Sequence, residues 1–203
     1  MKVYTRKGDD GSTGLLYGGR VGKDTAGPAA YGEVDEAVSA LGLARAESEP
    51  GSELAEMIIR LQREMFVVGA ELATAPANRH KLTPEVSLVT AGMVERLEPL
   101  IDDLTGRYTP PTEFVLPGEN RIAAALDLAR TVVRRAERAA VAAAHDGWLP
   151  GGAGVSPEIT GGPGVSPEMP ASQVVPYLNR LADLVYTMAR WQEGTFRPVR
   201  IAD

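Results

Sequence analysis

The chain has 203 residues, 44% of them hydrophobic and 24% charged, enough to bury one sizeable core without disulfide or metal staples. Cysteine is absent and histidine is limited to His80 and His145, which excludes thiolate zinc sites and cysteine nucleophiles and argues against a histidine-based metal centre or triad. A net charge of -6 gives no general attraction to phosphate polymers or anionic lipid, and the opening residues lack the apolar run of a signal peptide, so a cytoplasmic protein with no nucleic-acid or membrane partner is expected.

The first 27 residues hold seven glycines and no helical period, and read as an irregular loop. Within it, Thr5, Arg6, Lys7, Gly8, Ser12, Thr13 and Gly14 are followed by Gly18, Gly19, Gly22 and Lys23. Closely spaced glycines let backbone N–H groups converge on an anion, with hydroxyls and a lysine beside them; plain turns account for the glycines as well. This is no Walker A loop, because Tyr17 and Asp24 stand where that motif needs Gly and Ser or Thr.

After Pro28, a stripe of Val34, Ala37, Val38, Leu41 and Ala44 predicts a helix ending near residue 50. Glu33 and Glu36 near its start read as complements of the helix dipole, whereas Asp35 falls beside the apolar stripe and calls for a specific partner. A second stripe, Leu54 to Leu72, has Ser52 as its N-cap candidate and Pro76 beyond its end. A third helix is expected to open at Thr83-Pro84-Glu85 and run through Val86, Val89, Met93, Leu97, Leu100 and Leu104, with a kink or break at Pro99. A fourth spans about 120 to 145 and a fifth about 172 to 192. Between these two, residues 151 to 170 are a near-duplication, GGAGVSPEIT then GGPGVSPEMP, too rich in Gly and Pro for a helix. The expected fold is therefore all-α: an antiparallel five-helix bundle with a Gly-rich N-terminal loop, one domain over residues 1–203 with a flexible inserted loop at about 147–171.

The fourth helix separates two faces at 100° per residue. Ile122, Ala125, Leu126, Ala129, Val133, Ala136 and Ala140 share one side; Asp127, Arg130, Arg134, Glu137 and Arg138 share the other, with Arg135 off to the side. Such a face is either solvated or, being arginine without lysine, a clamp for a triphosphate or an interface carboxylate. On the fifth helix Asn179 and Asp183 stand one turn apart.

The stretches YTRKGDDGSTGLLYGGRVGKD, YGEVDEAVSALGLARAE, FVLPG, ALDLARTVVRRAERAA and YLNRLADLVYTMAR, in that order along the chain, resemble the PduO-type ATP:cob(I)alamin adenosyltransferases. The resemblance implies a homotrimer with ATP between subunits and transfer of the 5'-deoxyadenosyl group to cobalt with release of triphosphate. It assigns ATP contacts to Thr5, Arg6, Lys7, Gly8, Thr13, Gly14, Lys23, Arg134, Arg135, Glu137, Arg138 and Asn179, and an intersubunit ion pair to Asp35 and Arg130. Phe114 would cover the lower face of the corrin, so the catalytic roles fall on Arg134, Phe114, Asp35 and Arg130. Cobalamin and ATP are the implied substrates, Mg²⁺ the implied cofactor, and a reductase and an adenosylcobalamin-dependent enzyme the implied partners. Departures from the family pattern are Glu119-Asn120 for Gly-Ser, Asp127 for His, Ala182 for Ser, and the repeat. The rival readings are a non-catalytic ATP-binding or adenosylcobalamin-delivery module and a purely structural bundle.

Overall fold

The computed structural model describes residues 4–151 and 170–200. In chain order these form β1 (Ser12–Gly14), β2 (Arg20–Gly22), α1 (Ala26–Ala46), α2 (Glu53–Leu72), a 3-10 turn (Pro76–Lys81), α3 (Ala91–Glu95), α4 (Glu98–Thr105), β3 (Val115–Leu116), α5 (Arg121–His145), α6 (Val174–Glu193) and β4 (Arg197–Pro198). The chain is thus mostly helical, as its composition predicts.

The long helices begin where the sequence supplies a cap. Ser52 Oγ accepts from Ala55 N at 3.2 Å, and Asn120 Oδ1 accepts from Ala123 N at 2.8 Å, each satisfying one donor of a first turn. α5 packs between α1 and α6, and α2 packs on α1 and meets α6, where the Tyr177 hydroxyl donates to Glu64 Oε2 at 2.9 Å. Its buried face is alanine, including Ala125, Ala129, Ala136, Ala140 and Ala143, which lets the neighbouring backbones approach closely. Leu41, Ile58, Leu61, Leu126, Leu181 and Val185 fill the space between the helices. Each such side chain contributes roughly 1.5 to 3 kcal/mol on burial, against about 1 kcal/mol or less for an exposed ion pair, so packing holds the bundle together. No described helix is long and apolar enough to cross a membrane.

Three expectations change. The glycine-rich start is not irregular throughout: β1 and β2 pair antiparallel, Ser12 with Gly22 and Gly14 with Arg20, and α1 starts at Ala26, ahead of Pro28. Gly18 and Gly19 turn the chain at φ 98 and 96, conformations that L side chains rarely adopt. The expected third helix does not open at Thr83. Residues 83 to 88 instead fold as a tight turn in which Thr83 N donates to Ser87 Oγ at 2.9 Å and Thr83 O accepts from Val86, Ser87 and Leu88.

Long-range capture explains that turn. Val89 N donates to the buried carboxylate of Glu71 at 2.7 Å, and Arg79 and Ser172 donate to the same carboxylate, each at 2.6 Å. Thr90, not Thr83, caps α3. The break foreseen near Pro99 falls one turn earlier, between α3 and α4, and puts Pro99 in the first turn of α4, where a missing N–H costs nothing.

At the far end of α5 the chain stays on the bundle through Pro150. Leu149 is buried, Trp148 Nε1 donates to Leu72 O at 2.7 Å, and Ser172 N donates to Pro150 O at 3.1 Å where the chain returns. The flexible loop expected from the repeat lies, for residues 152 to 169, outside the described residues.

Candidate functional site

Seven of the candidate phosphate ligands gather on the N-terminal hairpin, whose loop is braced from β2. Arg20 Nη2 donates to Lys7 O at 2.5 Å and to Ser12 Oγ at 2.6 Å, and Lys23 Nζ donates to Gly8 O at 2.7 Å. The Ser12 hydroxyl and amide both donate to Asp10 and, with the Arg20 charge, hold its carboxyl below the usual range. A Cβ on Gly8 would stand 3.1 Å from both Lys23 Nζ and Ser12 O, so glycine fits the brace closely. Thr5, Arg6, Lys7, Gly8, Thr13, Gly14 and Lys23 therefore share one largely exposed hairpin. Arg20 was not singled out by the sequence, and only its place opposite β1 marks it.

On α5, Arg134 and Arg138 are exposed one turn apart, and Arg138 Nη1 donates to Arg134 O at 3.0 Å. Asn179 Nδ2 donates to Glu137 Oε1 at 2.9 Å, so two of the expected ATP contacts meet across the α5–α6 seam. Asp183 pairs with Arg180 instead. Arg135 points elsewhere. Its guanidinium binds Glu36 and Glu33 of α1, and these hydrogen bonds, Glu36 first, raise its pKa above the ordinary arginine range. Glu33 and Glu36 are accordingly ion-pair partners rather than dipole complements, because α1 begins too early for either to lie in its first turn.

Asp127 is the second correction. A helical wheel places it with the solvated arginines, yet it is 6% exposed and accepts from Arg190 Nη2 on α6. Arg190 lies on the same side of α6 as Asn179 and Asp183, which is the signal that could have found it. Arg190 also donates to Glu193 at 3.2 Å, and burial pushes the Glu193 carboxyl up against the opposing pull of Arg190.

Between this cluster and the loop before β3 lies a cavity of about 490 Å³, lined by Phe114, Pro117, Asp127, Arg130, Tyr186 and Arg190. Phe114 is 87% exposed, so it does not anchor its loop in the core. The loop is held by main chain instead, since β3 pairs with β4 and Val199 N donates to Phe114 O at 2.9 Å, and by one side-chain pair, Arg197 Nε donating to Glu119 Oε1 at 3.2 Å. Glu119, the added carboxylate, is thereby paired.

A second cavity of about 420 Å³, almost wholly apolar, is lined by Leu16, Tyr31, Val34, Asp35, Met65 and Phe66 among others. Asp35 and Arg130 thus line different cavities of one chain. Among the described residues, no hydrogen bond or ion pair joins the hairpin to Arg134, Arg138 or Asn179. Nor do any three His, Asp or Glu residues there form a metal-binding group.

Residues 3–192 match the family described as cobalamin adenosyltransferase. A corrinoid adenosyltransferase of Mycobacterium tuberculosis is 37% identical over 191 residues, covering 93% of this chain and 87% of that protein. One from Citrobacter freundii is 34% identical over 194 residues and covers 96% of each. Among solved structures, a variant PduO-type ATP:corrinoid adenosyltransferase from Lactobacillus reuteri complexed with cobalamin and ATP superposes with a TM-score of 0.78 at 27% identity, covering 98% of this chain and 100% of that one.

Proposed function

The chain belongs to the cobalamin adenosyltransferase family, and from that premise we propose that it transfers the 5'-deoxyadenosyl group of ATP to the cobalt of cob(I)alamin, forming adenosylcobalamin and releasing triphosphate. One observation carries the reading. Arg130 on the wall of the Phe114 cavity and the exposed Arg134 and Arg138 are successive turns of one helix, so two arginines able to grip a polyphosphate stand about 6 Å or more along α5 from a cavity walled by Phe114 and Tyr186.

The reaction needs no protein nucleophile, which agrees with a chain without cysteine. Cobalt supplies the electron pair that forms the bond to C5', and the C5'–O bond breaks with its pair leaving on triphosphate. The protein orients the two substrates and stabilises the leaving charge. Arg134, Arg138, Glu137 and Asn179 would hold ATP from one side, and Thr5, Arg6, Lys7, Gly8, Thr13, Gly14 and Lys23 from the other. Phe114, on the cavity wall, would keep a lower ligand off cobalt and ease the preceding reduction. Mg²⁺ would enter on the triphosphate, which commonly supplies several of its ligands.

Since no hydrogen bond or ion pair joins the two halves of the ATP set among the described residues, and Asp35 and Arg130 line separate cavities, the geometry leaves room for sites between subunits, and the homotrimer with an Asp35–Arg130 pair across its interface is the assembly that the family resemblance implies. The single core supports one domain over the chain. A reductase would supply cob(I)alamin and an adenosylcobalamin-dependent enzyme would take the product. The test is a spectrum of the protein with ATP, Mg²⁺ and chemically reduced cobalamin, scored for a photolabile alkylcobalt product and for triphosphate. ATP binding without that product would leave the delivery-module reading in its place.

A further inference from the structure

A charged cluster lies under the cavity beside Phe114. Arg190, 1% exposed, donates through Nη2 to Asp127 Oδ2 and to Glu193 Oε1. The other oxygen of Asp127, Oδ1, faces Arg130 Nε at 3.6 Å, an ion pair too long for a hydrogen bond. The Tyr186 ring lies against both guanidiniums, its centroid 5.2 Å from Arg190 and 6.0 Å from Arg130. Two carboxylates and two guanidiniums balance in charge. Their hydrogen bonds do not balance: Arg190 Nε, Arg130 Nε and Glu193 Oε2 are buried without partners.

Burying such a cluster is a poor way to join two helices, because apolar side chains of the same volume would hold α5 to α6 at least as well. The arrangement does something packing cannot, which is to fix where a charge stands. Arg130 makes no hydrogen bond among the described residues, so within one chain its donors stay open to the cavity and to Asp35 of a neighbouring subunit while the Asp127 charge and the Tyr186 face hold its position.

We infer that Arg190 is a positioning residue for the cavity: it fixes Asp127, and Asp127 sets the guanidinium of Arg130 on the cavity wall. The inference rests on the reading of this cavity as the corrinoid site. Asp127 is the informative position, since asparagine keeps its shape and removes the charge that holds Arg130.

The experiment compares wild type, Asp127→Asn and the double variant Asp127→Leu with Arg190→Met. It measures the dissociation constant of cob(II)alamin by its spectral change with ATP bound, the KM values for cob(I)alamin and for ATP, and the melting temperature. Asp127→Asn is expected to weaken corrinoid binding and raise the corrinoid KM by about tenfold, with the KM for ATP changed by less than about twofold. The double variant removes one charge of each sign and leaves Glu193, whose carboxyl burial already pushes toward the neutral form, so it should still fold and show the same corrinoid defect; it decides the matter if Asp127→Asn folds poorly. A folded double variant with wild-type corrinoid binding, or equal losses for ATP and corrinoid, would overturn the inference. A wild type that binds no corrinoid at all would overturn the functional reading beneath it.

Discussion

Gly27→Ala sets two effects of opposite sign against each other at a site where the structure gives the distances. Gly27 is buried in the first turn of α1, and a Cβ built there stands 2.2 Å from Trp148 Cε2 and 2.3 Å from Cζ2. The neighbour is a ring rather than a flexible tip, and Trp148 is fixed by its indole bond to Leu72 O and by its amide bond to Ala143 O at 2.9 Å. Helix propensity alone favours alanine over glycine by up to about 1 kcal/mol. Overpacking costs about 1 to 3 kcal/mol. Loss of the indole hydrogen bond, with a carbonyl left behind, adds about 1 kcal/mol.

The steric cost wins, for a net destabilisation of about 1 to 3 kcal/mol, which lowers the melting temperature of a domain of this size by roughly 3 to 10 °C. Calorimetry or far-ultraviolet dichroism on heating reads this directly. In a Trp148→Leu background the ring is gone, and Gly27→Ala should be neutral or stabilising. A single Gly27→Ala variant that melts at or above wild type would refute the close approach of α1 to Trp148 and the reasoning built on it.

Arg134→Lys keeps the charge and loses the planar fork at an exposed position, so turnover should fall by about a hundredfold or more with the melting temperature unchanged, measured by steady-state kinetics and thermal unfolding. Equal loss of folding would show the arginine face to be structural. Phe114→Ala should hardly alter stability, because the ring is exposed, but should depress turnover with a mild reducing system more than turnover with preformed cob(I)alamin. A variant that keeps a four-coordinate cob(II)alamin spectrum with ATP would remove that role from Phe114. Asp35→Asn, at an exposed position of the single chain, should leave folding intact and weaken assembly by about 1.5 to 3 kcal/mol, the worth of a charged hydrogen bond, because Asp127 stays beside Arg130; sedimentation at low concentration would show it. Unchanged assembly there would dismiss the interface pairing.

What the sequence revealed is what local physics controls. The helices at α2 and α5 follow from a 3.6-residue stripe, and Ser52, the N-cap candidate of α2, lies within a few residues of the turn it starts. Most of the misreadings have partners far along the chain. Thr83-Pro84-Glu85 has the composition of a helix start, but Glu71 captures Val89 from 18 residues away and the turn at Ser87 forms instead. Asp127 looked solvated because its partner Arg190 is 63 residues distant, and Glu33 looked like a dipole complement because Arg135 is 102 residues distant. The strands of the hairpin, three residues each, are too short for a period-two pattern to register. Of the candidate site, the glycine-rich loop and the arginine face of α5 were legible as candidates from composition and spacing, whereas the cavity floor of Tyr186 and Arg190 required knowing that α6 packs on α5.

The proposed transfer site takes the hairpin of one subunit and α5 of another. Lys23→Ala combined with Arg6→Ala disables the first half, and Arg134→Ala combined with Arg138→Ala the second, so each variant alone should be nearly inactive. Co-expressed in equal amounts, the two chains assemble at random into mixed rings, and one pairing in four joins an intact hairpin to an intact α5. Purified mixed protein should then recover about a quarter of the wild-type formation of adenosylcobalamin. Mixed rings that stay as inactive as either parent would contradict an intersubunit site.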